Sequence, residues 1–284
     1  MVRARQTTLS APVTIESPTL FTDQRCACTI APAPADSGVI LEYDGDRAEA
    51  HIENLSDEPA HDAFRAMKPR CSAIRVGSAS VFTVEHLLSA LTGLGIDNAI
   101  VSLSTNELPI FDGSSRAFAD ALRGASIIEL NEPTRPVRVR APIRVGDDGA
   151  WITIEPSEHP SYEYTIDYGP GSPVARATVS WGSDPDDYIE RVAPARTFSL
   201  EHEVSAMREL GLFTHLSARD MLVLGDGGPI DNELNHEHEC ALHKLLDLIG
   251  DLRLAGSPLI ARVRAHRSGH ALAHRSARAI IEQQ

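Results

Sequence analysis

Short runs of apolar positions separated by polar ones fill the first fifty residues. Val13-Thr-Ile15, Cys26-Ala-Cys-Thr-Ile30 and Gly38-Val-Ile-Leu-Glu-Tyr43 read as strands. An irregular polar stretch over 53–70 follows. From residue 83 the apolar positions recur with a helical period, which predicts a helix over 83–94 with Thr83 at its N-cap. Next come a strand over 98–103, a loop holding Pro109 and Asp112-Gly113, and a helix at 115–124. The turn formers of Asn131-Glu-Pro-Thr-Arg-Pro136 divide the chain into 1–130 and 131–284. After them the pattern begins again. Strands are predicted over 137–145, 151–155 and 162–168, then a loop through Gly169 and Pro173. Helices follow near 200–210 and 237–254, with strands near 259–265 and 270–273. Strands followed by helices in each half predict an α+β chain of two similar domains, although no residue-level repeat is visible.

Chemistry-bearing residues stand out against this pattern. His243, Asp247 and Asp251 lie at i, i+4 and i+8, where a helix puts them on nearly one face. Their neighbours Leu245, Leu246, Leu248 and Ile249 are apolar. A His and an Asp one turn apart can share a metal ion; a core helix with hydrogen-bonded polar residues reads equally well. Burying such groups is costly unless something pairs with them. Glu85 and His86 are adjacent, so a helix points them roughly 100° apart. That places an imidazole on a metal and a carboxylate beside the metal's water. A third unit is Ser268-Gly269-His270, whose glycine allows close backbone approach. Two His, one Asp and an open position describe a catalytic zinc site, since structural sites are closed by four protein ligands. A neighbouring Glu is then the general base, and His270 supplies a proton or stabilises an oxyanion. His236 and His238 open the main helix in a run with Glu233, Glu237 and Glu239, which suits a helix N-terminus better than a second metal site. His266 and His274 are expected at the surface, beside Arg264, Arg267 and Arg275.

Several segments together carry a family resemblance. They are Thr83-Val-Glu-His-Leu87 with Gly93-Leu-Gly-Ile-Asp-Asn98, Glu107-Leu-Pro-Ile-Phe-Asp-Gly-Ser114, and Arg196-Thr-Phe198. His243-Lys-x-x-Asp247-x-Ile-Gly-Asp-Leu252, Ser268-Gly-His-Ala-Leu272 and the early Pro32–Ile40 segment complete the set. The chain resembles the UDP-3-O-acyl-N-acetylglucosamine deacetylases of lipid A synthesis over nearly its whole length. The resemblance implies two α+β units with helices packed between their sheets and a metal site at their interface. It implies zinc, held by His86, His243 and Asp247, with Glu85 as general base. His270 matches the second catalytic residue, and Asp251 the partner that orients its imidazole. Thr197 matches the hydroxyl that helps hold the oxyanion, and Lys244 and Phe198 match substrate contacts. The leaving amine takes its proton from Glu85 or His270. The implied substrate is an acylated UDP-N-acetylglucosamine.

The departures from the family pattern spare the metal chemistry. Ser17–Asp23 lacks the family's glycines and histidine, and Ser199 and Leu200 replace a Gly-Phe pair. His215-Leu216-Ser217 stands for Gly-Gly-Ser, followed by Ala218-Arg219. Ala150 stands where the family has Lys, and Ala273 where it has Asn. These segments line the family's acyl passage and nucleotide-sugar pocket. They raise the alternative of a deacetylase for a different N-acyl amino sugar or nucleotide, its acyl passage narrowed beside Leu216. A non-catalytic binding module on the same fold is the remaining alternative. A costly polar cluster in apolar surroundings speaks against it.

Composition narrows the setting. The 284 residues carry 26 Lys and Arg against 40 Asp and Glu, a net charge of −14. That excludes non-specific nucleic-acid binding, which needs a basic footprint. No apolar run reaches about 18 residues, so no transmembrane helix is expected. No apolar stretch backs the basic residues near Met1, so no signal peptide is expected. Cys26 and Cys28 are too close for an ordinary disulfide and, on a strand, face one side. Cys240 reads as a buried inert thiol. Reduced thiols, a cytoplasmic setting, a small nucleotide-sugar partner and a monomer are the expectations.

Overall fold

The doubled pattern of the sequence becomes two sheets with one strand order. The computed structural model describes residues 3–217 and 221–284. The first sheet runs Val13–Pro18, Arg25–Pro32, Ala99–Leu103, Val39–Tyr43, Asp46–Glu49. The second runs Ile143–Gly146, Trp151–Pro156, Leu259–His266, Ser161–Ile166, Ala177–Trp181, with Val137–Arg138 alongside Leu259–Ile260. In both, two antiparallel hairpins flank a late strand, antiparallel to the first hairpin and parallel to the second. A helix precedes and another follows that late strand in each half.

Six α-helices are present among the described residues: α1 (Glu85–Leu94), α2 (Arg116–Gly124), the single turn α3 (Pro185–Asp187), α4 (Glu201–Glu209), α5 (Glu239–Leu252) and α6 (His270–Ile281). Helices α1 and α5 pack directly on each other; α5 also lies on the strands at 161–181, α6 on those at 143–156, and α2 on Val13–Pro18. Sandwiched in this way, α1 is buried on every face except at Thr92, and α5 except at Lys244. That explains why their apolar residues are not confined to one stripe. The close crossing needs a glycine. A Cβ on Gly250 of α5 would lie 2.0 Å from the Glu85 carbonyl oxygen.

Three readings of the sequence are corrected. Residues 270–273 open a helix rather than form a strand: Ala273, Ala277 and Ile280 are buried at helical spacing. The strand predicted over 137–145 is two short ones. Pro142 lacks an N–H for a ladder, and the N–H groups of Arg140 and Ala141 instead donate to Gln283 Oε1. Thr83 is not an N-cap. It sits at φ +63°, a strained conformation for a β-branched residue. The helix starts at Glu85 without a side-chain cap.

Several strands are not among those predicted. Arg5–Leu9 and Asp46–Glu49 are largely polar in sequence and owe their state to their partners. The former pairs with Ile127–Pro133, a strand that runs across residue 131. Cys26 and Cys28 do share a buried face, and all four cysteines are free and buried.

Candidate active site

The α1–α5 crossing brings residues 157 or more positions apart in sequence to one point. His86 Nε2 lies 3.6 Å and His243 Nε2 3.5 Å from Asp247 Oδ1. The rings of His86 and His243 meet edge to face at 5.2 Å. All three residues are buried, and the three ligand atoms lie within 4.8 Å of one another.

The donor set fits a cation. Asp247 Oδ1 is buried and has no hydrogen-bond partner. His243 Nδ1 lies 3.1 Å from the Ala195 carbonyl oxygen, which can only accept, so Nδ1 carries the proton. That leaves the Nε2 lone pair facing the gap, a usual device for orienting a ligating imidazole. Burial pushes the His243 pKa down to about 4, which keeps the ring neutral. Edges of 3.5 and 3.6 Å suit a tetrahedral ion, whose ligand–ligand edge is about 3.4 Å for bonds near 2.1 Å. Burial alone would raise the Asp247 pKa. His243 and Lys244 outweigh it and hold the carboxyl well below its ordinary range. Lys244 Nζ donates to Asp247 Oδ2 at 2.6 Å, so its charge faces the carboxylate as well as the cavity.

Glu85 and His270 stand beside this trio. Glu85 is 3% exposed, and burial raises its pKa despite the nearby charges of His270 and His86. Its Oε2 accepts from the Ser72 N–H at 3.0 Å, and its Oε1 lies 4.0 Å from His270 Nε2. His270 Nδ1 donates to Asp251 Oδ2 at 2.8 Å. Burial works against a charged His270. Asp251, then Asp247 and Glu85, overcome it and carry the pKa up to about 9. An imidazolium therefore faces the cavity at neutral pH, its Nε2 3.9 Å from Asp247 Oδ2.

These groups open on a cavity of about 580 Å³. Leu20, Met67, Ile110, Phe198 and Leu272 supply apolar wall; Lys68, Arg70 and Arg267 supply positive charge. Thr197 reaches it from the loop after Arg196. That loop is anchored by a buried ion pair, Arg196 Nε to Glu239 Oε1 at 2.7 Å, and by Thr197 N–H on the Gly113 carbonyl at 2.8 Å. Phe198 packs edge-on against His243 at 6.4 Å. The loop at 20–22 is held by buried Glu107, which accepts from the N–H groups of Leu20, Phe21 and Thr22.

The structure thus brings Glu85, His86, Thr197, Phe198, His243, Lys244, Asp247 and His270 around one cavity, with Asp251 behind His270. Ala150 is in its wall; Ala273 is buried and is not. His215 and Leu216 are not in that wall. His215 Nε2 instead donates to the Thr19 carbonyl at 3.1 Å. The substitution Arg219 lies outside the described residues.

The family model for UDP-3-O-acyl N-acetylglycosamine deacetylase matches residues 6–282. The chain belongs to that family. A relative from Saccharophagus degradans, named UDP-3-O-acyl-N-acetylglucosamine deacetylase, is 35% identical over 287 aligned positions, covering 99% of this chain and 91% of the relative. One from Xanthomonas campestris pv. campestris, with the same name, is 32% identical over 282 positions with the same coverage. No helix among the described residues is long and apolar enough to cross a membrane.

Three participants were not expected at the site. Ser72 ends an irregular polar stretch, and the Ala195 carbonyl belongs to the backbone. His274, expected at the surface, is only 6% exposed and bonds Ser72. His266 is half-buried and stacks on Trp151. Only tertiary neighbours reveal Ser72 and the Ala195 carbonyl. Helical spacing could have flagged His274, which lies four residues after His270 on one face.

Proposed function

We propose that this member of the family hydrolyses the N-acetyl group of an acylated UDP-N-acetylglucosamine in lipid A biosynthesis, using one zinc ion. The observation that carries the reading is the buried, unpartnered Asp247 Oδ1 between two imidazole nitrogens, facing the cavity that Glu85 and His270 share. His86, His243 and Asp247 would hold the ion. When bound, zinc acidifies a water and polarises the amide carbonyl.

Glu85 accepts the proton of the attacking water. Its raised pKa suits a base that must pass the proton on. His270, charged at neutral pH, and the Thr197 hydroxyl meet the negative charge that develops on the carbonyl oxygen. Asp251 keeps His270 charged and oriented. Lys244 restrains Asp247 while facing the substrate, and Phe198 fixes the His243 ring edge. Lys68, Arg70 and Arg267 suit the diphosphate, and the apolar wall suits an acyl chain. The reading divides the chain near residue 131, with one catalytic helix on each side. A nucleotide-sugar substrate and four free thiols favour a cytoplasmic setting.

Purified protein should carry about one zinc per chain, as three protein ligands with an open position imply, and release acetate from UDP-3-O-acyl-N-acetylglucosamine. Protein with full zinc that releases none would sink the reading.

A further inference from the structure

We propose that Ser72 and His274 are positioning residues that lock Asp251, and through it His270, in the working orientation. The inference rests on the deacetylase reading of His270. Ser72 is fully buried just before the hairpin of Ala73–Val76 and Ala79–Phe82, and each of its polar groups is engaged. Its N–H donates to Glu85 Oε2 at 3.0 Å, and its carbonyl accepts from the Val84 N–H at 3.3 Å. Its Oγ lies 2.6 Å from Asp251 Oδ1 and 2.6 Å from His274 Nε2.

The direction of each proton follows from what the groups can do. The Asp251 carboxylate only accepts, so the Ser72 hydroxyl hydrogen points at Oδ1. The hydroxyl has no second hydrogen, so Oγ accepts from His274, and His274 Nε2 carries a proton. On the other side, Oδ2 accepts from His270 Nδ1, 2.8 Å away. The chain of donors therefore runs from His274 through Ser72 to Asp251, and from His270 to the same carboxylate. Asp251 cannot rotate without breaking short bonds on both oxygens. His270 Nε2 is thereby aimed at the cavity. One residue of the first half sets both Glu85, through its backbone, and Asp251, through its side chain. Asp251, His270 and His274 also have the make-up of an ion site. The hydroxyl already lies at hydrogen-bond distance from two of them, which favours the relay over a second ion.

Ser72→Ala keeps the backbone bond to Glu85 and removes the relay. We expect kcat to fall roughly 10- to 100-fold, as for other groups that orient a functional imidazole. KM should stay within about twofold and zinc content at one per chain, a split that general loosening of the fold does not produce. His274→Leu should lose rate similarly, and His274→Gln, which still offers a donor to Oγ, should recover most of it. The double variant Ser72→Ala/His274→Leu should cost no more than the larger single change, because one chain of bonds is cut twice. Nitrogen-15 NMR of histidine-labelled protein should show neutral His274 protonated at Nε2. Protonation at Nδ1, a second bound zinc, or Ser72→Ala turnover within about twofold of the parent overturns the proposal. If Ser72→Ala does not fold, equal rates for His274→Leu and His274→Gln overturn it. A parent protein that releases no acetate sinks the deacetylase reading, and the NMR tautomer still decides the relay.

Discussion

The two halves share a strand order, yet their central helices are loaded differently. Helix α1 carries its chemistry only in its first turn, at Glu85 and His86, and is then mainly apolar to Leu94. Helix α5 carries His243, Asp247 and Asp251 at successive turns down one face. Neither helix holds a complete site. On the proposed reading the second half would contribute two ligands and the His270–Asp251 pair, and the first the third ligand and the base. A duplicated scaffold supplies two equivalent helices that must pack together, and the chemistry is divided across their contact. The contact has to be close because the first turn of α1 must reach the middle of α5. Gly250 against the Glu85 carbonyl makes that possible.

The sharpest way to break this division is to remove the ion proposed to bind there. Chelation, or His243→Ala and Asp247→Ala in the second half, should abolish acetate release, and so should His86→Ala in the first. Zinc content measured beside activity checks it. A His86→Ala variant that keeps full zinc and turnover would place the site in one half alone.

Glu85→Gln should come next, lowering kcat by about 10²- to 10⁴-fold with zinc retained, the range for loss of a general base. Thr197→Val should cost about 10²-fold in kcat, as for one oxyanion donor. Steady-state kinetics on zinc-matched protein distinguishes the two.

Gly250→Ala probes the crossing itself. The added Cβ meets backbone rather than a side chain that can swing away. A loss of about 3 kcal/mol or more is expected, at the upper end for overpacking, read from urea unfolding. Gly93→Ala, where the neighbour is the Tyr188 ring, should cost less if that ring shifts. Equal losses would mean that the α1–α5 contact is not specially tight.

The smallest effect concerns pH. Burial lowers the His274 pKa to about 4, against about 6.5 for an unfolded histidine. The unfolded chain then binds the proton first as pH falls, so native stability should drop from about pH 6.5 towards pH 4. His274→Gln should remove on the order of 2 kcal/mol of that dependence. Matched unfolding curves at pH 7 and pH 5 that move in parallel for both proteins would count against a neutral buried His274.

The sequence by itself determined the α+β class, the doubled order of strands and helices, and the face of α5 that carries His243, Asp247 and Asp251. These are periodic signals, and helical or strand period is a property of neighbouring residues. The motif set also named Glu85, His86 and His270, because their spacing to the rest of the chain is distinctive. Tertiary structure alone decided which of these residues meet. It made the stretch after Gly269 a helix, where the short run His270-Ala-Leu-Ala273 carries too little period to tell helix from strand. It put Thr83 at positive φ instead of at a cap. It moved His274 from the expected surface into the core, and it left His215 and Leu216 out of the cavity wall. Ser72 was invisible for the same reason: its partners lie 12 to 202 positions away, and no local pattern records contacts made only when two halves of a chain close on each other.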